Sequence, residues 1–231
     1  MLNALSKFTL LSAVTWSLLQ MPLAHAEGGI GFDKTRAVIN PGKTETALVL
    51  ANDGDWAFLI QNNLESVDKT KVSGITVTPP LARLLPKQSM RVRMVVTDPT
   101  ALPQDRETVV WLVSQSIPAN TDAENVMRIN YINRIKVFYR PATLQGKRLI
   151  DAMAKLKVSR EGNKVVLHND SPFVLSMGSY QVNEKTVDTS DMILPFSTFT
   201  PAKVDLPSGG VKFGWNAIDE YGAYRHNETN I

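Results

Sequence analysis

The stretch 125–141, Asn-Val-Met-Arg-Ile-Asn-Tyr-Ile-Asn-Arg-Ile-Lys-Val-Phe-Tyr-Arg-Pro, constrains this chain more than any other. Met127, Ile129 and Tyr131 alternate with Arg128 and Asn130, so an extended backbone puts apolar side chains on one face and polar ones on the other. Ile135, Val137 and Tyr139 keep that parity, while Arg134, Lys136 and Arg140 take the opposite one. A strand this long far exceeds the usual five or six residues, at about three times that length. Pro141 ends it, because proline cannot donate a ladder hydrogen bond. Such a segment has two uses. It can be an edge strand that covers its own core, or a strand offered to a second chain, and the pattern alone leaves both open.

The beginning of the chain reads as an address rather than as fold. Lys7 precedes an apolar run over 8–19, and Ala24-His25-Ala26 has the small-x-small pattern of a cleavage site. The run is shorter than the roughly 20 apolar residues a bilayer requires. Residues 1–26 are therefore expected to be a secretory signal, with the mature chain starting near Glu27 and making no stable membrane insertion. The net charge of +3 counts Lys7; without it, 24 basic against 22 acidic residues leave about +2. No run of five or six basic residues occurs, which argues against nucleic acid as a partner. Cysteine is absent, so an exported product must be held by its core alone. With 231 residues, 43% of them apolar, the chain is long enough for two domains of ordinary size.

Strand patterns recur at short spacing over 31–39, 45–50, 57–64, 74–78, 90–97, 107–115 and 125–139. Asn40-Pro41-Gly42, Asn52-Asp53-Gly54, Leu85-Pro86-Lys87 and Asp98-Pro99 separate them as turns. Short alternating strands without a convincing helix predict an all-β fold, an immunoglobulin-like sandwich over 27–141. After a hinge at 141–146, a second set over 155–158, 164–168, 173–181, 192–194, 202–204 and 211–218 predicts another β-sandwich over 142–231.

Arg-Ile-Lys-Val-Phe-Tyr-Arg-Pro, residues 134–141, resembles the signature that ends the first domain of the periplasmic chaperones of the chaperone–usher pilus pathway. Phe32-Asp33-Lys34-Thr35-Arg36-Ala37-Val38 is similar to the opening strand of that family. Thr78-Pro79-Pro80 with Arg83-Leu84-Leu85-Pro86 resembles its mid-domain turn, where a cis proline is usual, and Leu102-Pro103-Gln104-Asp105-Arg106-Glu107 resembles the lead into its sixth strand. The matches keep their order across most of the first half, and His168-Asn169-Asp170-Ser171-Pro172-Phe173 continues them more weakly into the second. Two departures stand out. Asn63 replaces a usual tryptophan, which leaves the core there in question, with Trp56 as a candidate filler. Glu220 stands where aspartate is usual, one methylene longer.

The resemblance implies two sandwiches in a boomerang that capture pilus (fimbrial) subunits in the periplasm and deliver them to an outer-membrane usher. The subunits lack their last strand, and the chaperone supplies one by donor-strand complementation. Met127, Ile129 and Tyr131 would be the inserted side chains. Arg36 and Lys136 match the paired cations that anchor the subunit's C-terminal carboxylate, and Glu107, Arg140 and Glu220 match an ion-pair cluster that fixes the angle between the domains. An unsatisfied edge of this kind also favours self-association of the subunit-free chain.

Enzyme chemistry finds little support in the residues. Beyond the signal only His168 and His226 remain, with no spacing suited to a metal, and there is no Gly-x-Ser-x-Gly elbow. The expectation is therefore a binding protein with no cofactor, no metal and no catalytic residue. Two alternatives stand beside it: a module of the same fold serving a non-pilus surface fibre or adhesin, and a secreted hydrolase.

Overall fold

The first extended run, expected over 31–39, is split in two in the computed structural model, which describes residues 29–119 and 129–231. The expected signal at 1–26 and Met127 lie outside the described residues. Strand β1, Ile30–Phe32, pairs with β3, Glu45–Asn52, in one sheet, and β2, Arg36–Ile39, then crosses to the other. Asp33 makes the switch: its N–H donates to the Val49 carbonyl at 3.0 Å, and its carboxylate accepts from the Val49 N–H at 2.9 Å. The first strand thereby closes the sandwich on both layers.

The layer holding β1 has the order β1-β3-β7-β5, with β5 at Ile75–Thr78 and β7 at Ser89–Val96. The other has the order β2-β9-β8-β4-β6, with β4 at Phe58–Ser66, β6 at Leu81–Leu84, β8 at Thr108–Pro118 and β9 at Tyr131–Tyr139. Period-two burial shows in β4, where Phe58, Ile60 and Asn62 point inward and Leu59, Gln61 and Asn63 outward. Asn63 therefore leaves no gap in the core, and Trp56, at 51% exposure, fills none. Inside the fold it is Asn62 that stands among the apolar residues, with its Nδ2 donating to the Pro79 carbonyl at 2.9 Å. The Thr78–Pro79 peptide is cis.

The second half carries its own core, which includes Leu167, Leu175, Tyr180, Phe213 and Trp215. A short helix α1, Leu149–Ala154, precedes the strand expected at 155–158, which forms as β10 at Lys157–Glu161. One sheet runs β10-β11-β15, with β11 at Lys164–Asn169 and β15 at Ser197–Phe199. The other runs β13-β12-β16-β17, with β12 at Leu175–Val182, β13 at Lys185–Asp188, β16 at Lys212–Ile218 and β17 at Tyr224–Asn230. A two-residue strand β14, Met192–Ile193, pairs at the end of β12. The expected strand at 202–204 is a turn instead; Val204 packs in the core but only Asp205 makes a bridge, to Lys164. The molecule is an all-β pair of sandwiches.

Candidate functional site

Strand β9 has unequal neighbours. Its whole length, 131–139, pairs antiparallel with β8, but on its other side the parallel strand β2 reaches only residues 136–139. Over 131–135 that side has no partner among the described residues. Backbone N–H and C=O groups along this stretch stand ready for another strand. Side chains follow the same division. Ile135, Val137 and Tyr139 pack in the first core, whereas Tyr131 and the preceding Ile129 are 42% and 55% exposed. Tyr131 rests edge-on against Phe58, with ring centroids 6.2 Å apart. Ile132, on the opposite parity, is 61% exposed, and the alternation by itself gave no reason to single it out.

Where β2 meets β9, the first register pair is Arg36 with Lys136. Parallel pairing places these two cations side by side, an arrangement that repels when nothing negative lies between them. Arg36 is 9% exposed and donates from Nη1 to the Ile218 carbonyl at 3.1 Å, across to the second sandwich; its Nε finds no partner among the described residues. Burial lowers its hold on its proton, and Asp219 and the Tyr224 phenol act against that. Lys136 stacks its Nζ 5.6 Å from the Trp111 ring, its cross-strand partner on β8. Burial, and then the charge of Arg36, bring the Lys136 ammonium down to about 8, with Asp191 opposing. No carboxylate forms an ion pair with either cation among the described residues. One buried and one half-buried positive group, side by side and without a carboxylate in ion-pair contact among the described residues, are chemically suited to an anion.

Glu107, Arg140 and Glu220 come together at the junction of the sandwiches. Arg140 donates from Nε to Glu107 Oε1 at 2.8 Å and from Nη1 to Glu220 Oε2, and its guanidinium lies 5.3 Å from the Phe173 ring centroid. The Glu220 side chain is long enough to reach. Glu107 is 3% exposed; its second oxygen accepts from the Val174 N–H at 2.8 Å, and its own N–H donates to the Pro172 carbonyl at 2.8 Å. Burial pushes the Glu107 carboxyl up, and Arg140 and the Val174 N–H oppose that. Val109, Phe138 and Val174 form a small apolar cluster beside it. The junction is thus tied by a buried ion pair, backbone bonds and packing, on the strand that also carries Lys136.

His168 sits elsewhere, on the outer sheet of the second half, between the hydroxyls of Ser159 at 2.9 Å and Thr198 at 3.2 Å. Among the described residues no group of three or more metal-ligating side chains occurs. The arrangement as a whole suits binding: a bare strand edge, exposed apolar side chains along it, and a cation pair at its end.

Comparison with known proteins places this geometry in company. Residues 29–145 match the family described as pili and flagellar-assembly chaperone, PapD N-terminal domain, and residues 151–229 match the pili assembly chaperone PapD, C-terminal domain. The probable fimbrial chaperone LpfB of Escherichia coli O157:H7 is 33% identical over 94% of this chain and 93% of its own length. The chaperone protein FimC of Escherichia coli strain K12 is 30% identical over 97% of this chain and 93% of its own. Among solved structures, the Escherichia coli chaperone DraB superposes with a TM-score of 0.75 at 31% identity, covering 88% of this chain and 98% of that one.

Proposed function

Because this chain belongs to the pilus-assembly chaperone family, we propose that it holds fimbrial subunits by lending them β9 until an outer-membrane usher receives them, and that it works in the periplasm. The observation that carries this reading is the unpartnered edge of β9 over 131–135, ending at the Arg36–Lys136 pair. A subunit that lacks its last strand offers the complement: open backbone groups and an apolar groove. Adding β9 satisfies those backbone groups and sets the register, while Ile129 and Tyr131, with Met127 beyond the described residues, fill the groove. Each such side chain contributes roughly 1.5–3 kcal/mol when fully buried. The client's C-terminal carboxylate lies between Arg36 and Lys136, where a planar fork and a compact charge meet one anion.

Co-expression of this chain with the subunits of its own fimbrial system tests the proposal. Tagged wild type should bring a subunit out of the periplasmic fraction one to one, and Lys136→Ala should fold yet leave the subunit to degradation. Recovery of subunit with Lys136→Ala at wild-type yield sinks the carboxylate anchor. Removal of one partner of a buried, hydrogen-bonded charge pair costs roughly 2–5 kcal/mol, enough to make the loss plain.

A further inference from the structure

The second sandwich also faces the cation pair. Val174, Ser176 and Ile218 line the junction together with Arg36 and Phe138, so one face of the β12–β16 sheet looks toward the first sandwich. Continuing outward on that face come Gly178 of β12 and Tyr224 of β17. Tyr224 is the register partner of Ile218, whose carbonyl receives the Arg36 guanidinium. Its ring therefore stands next to the anchor, although 65% of the residue is exposed.

The ring is held there by a glycine. Gly178 sits at a register shift in the pairing of β12 with β16, and a Cβ built on it would lie 2.2 Å from Tyr224 Cε1 and 3.2 Å from Cζ. The Cε1 edge of the phenol thus abuts bare backbone, in room that no side chain at position 178 would leave. A tyrosine whose ring edge seats on a glycine this way is fixed in place without being buried.

We propose that Tyr224 is a specificity-determining residue: its exposed ring receives the side chain of the client's last residue while Arg36 and Lys136 hold that residue's carboxylate. The proposal rests on the anchor reading above for the client's direction of entry. Continuity with the cation pair argues for this occupant, since a carboxylate seated there leaves its own side chain within reach of the neighbouring ring. An aromatic or large apolar end residue gains from contact with the ring; glycine gains nothing.

The test uses the full mature chain and two synthetic twelve-residue peptides of alternating valine and threonine, one ending in phenylalanine and one in glycine, each as free acid and as amide. Wild type should prefer the phenylalanine end by roughly three- to tenfold, the range an aromatic contact supplies. Tyr224→Ala should erase that preference and keep the preference for acid over amide, and Tyr224→Phe should retain both. Gly178→Ala, which displaces the ring without removing it, should behave as Tyr224→Ala does. Equal binding of both ends by wild type overturns the proposal. So does a preference that survives Tyr224→Ala. Equal binding of acid and amide with the end preference intact refutes the anchor instead and leaves Tyr224 in its role.

Discussion

Lys136 carries the sharpest consequence at the scale of a single residue. Its folded-state value near 8 lies below the ordinary lysine value because burial and Arg36 disfavour its charge. Between those two values the unfolded chain binds the proton more tightly, so wild-type stability rises with pH across that window. Lys136→Met should therefore melt above wild type at pH 7, and the difference should close as pH passes the ordinary lysine range. Client binding runs the other way. An anchored carboxylate needs the ammonium, so affinity should fall above pH 8, by at most about tenfold per unit for one proton. Isothermal titration over pH 7–9 checks the slope, and a flat profile refutes it. Arg36→Ala is a less clean probe, because it also orphans the Ile218 carbonyl across the junction. Asn63 is a lesson at this scale. The sequence raised a doubt about the core, but the direction of a side chain in β4 depends on register, and register placed Asn62 inside instead.

At the scale of elements, β9 was legible because its alternation is strong and its Tyr-Arg-Pro end is distinctive, whereas its unpaired side was not, since pairing partners leave no periodic trace. Strands β6, β13, β15 and β17 went unexpected for a related reason. In β17 the run Tyr-Arg-His-Asn-Glu-Thr-Asn buries no residue fully, and an edge strand without a buried face has no two-residue period to read. The helix at 149–154 is likewise too short for a helical stripe to register. Ile129 gives the prediction that belongs here. It is exposed and touches no core, so Ile129→Ser should change the unfolding free energy by less than about 0.5 kcal/mol. It should nonetheless lower subunit capture by at least about tenfold, since one lost buried side chain is worth roughly 1.5–3 kcal/mol. Urea melts and pull-downs on the same preparation separate the two effects. Equal capture would mean that the groove takes its contacts elsewhere.

For the molecule as a whole, the junction ties the two sandwiches to each other through Glu107 and Arg140. Its three charged residues came from resemblance, because Glu107, Arg140 and Glu220 are too far apart in the chain for spacing to join them; the Glu107 N–H bond to the Pro172 carbonyl, the Val174 N–H bond to the Glu107 carboxylate and the Val109–Phe138–Val174 cluster had no sequence signal at all. Glu107→Ala leaves Arg140 buried without its main partner and should cost about 3–5 kcal/mol, read by urea melts, with faster hydrogen exchange at the Val174 amide. Glu220→Ala, at the wetter end of the pair, should cost less than about 1 kcal/mol. A loss for Glu220→Ala as large as for Glu107→Ala would show that the outer arm carries as much of the junction's stability as the buried one. There remains the short parallel ladder of β2 on β9, only four residue pairs long. A guest strand laid along the bare part of β9 continues the line of β2, and whichever of its ends points inward must stop at Arg36 and Lys136. An amino end would meet two charges of its own sign, and a carboxyl end two of the opposite sign. On the proposed reading, four pairs of residues act as a one-way sign that favours a guest running in the same sense as β9 over one running against it.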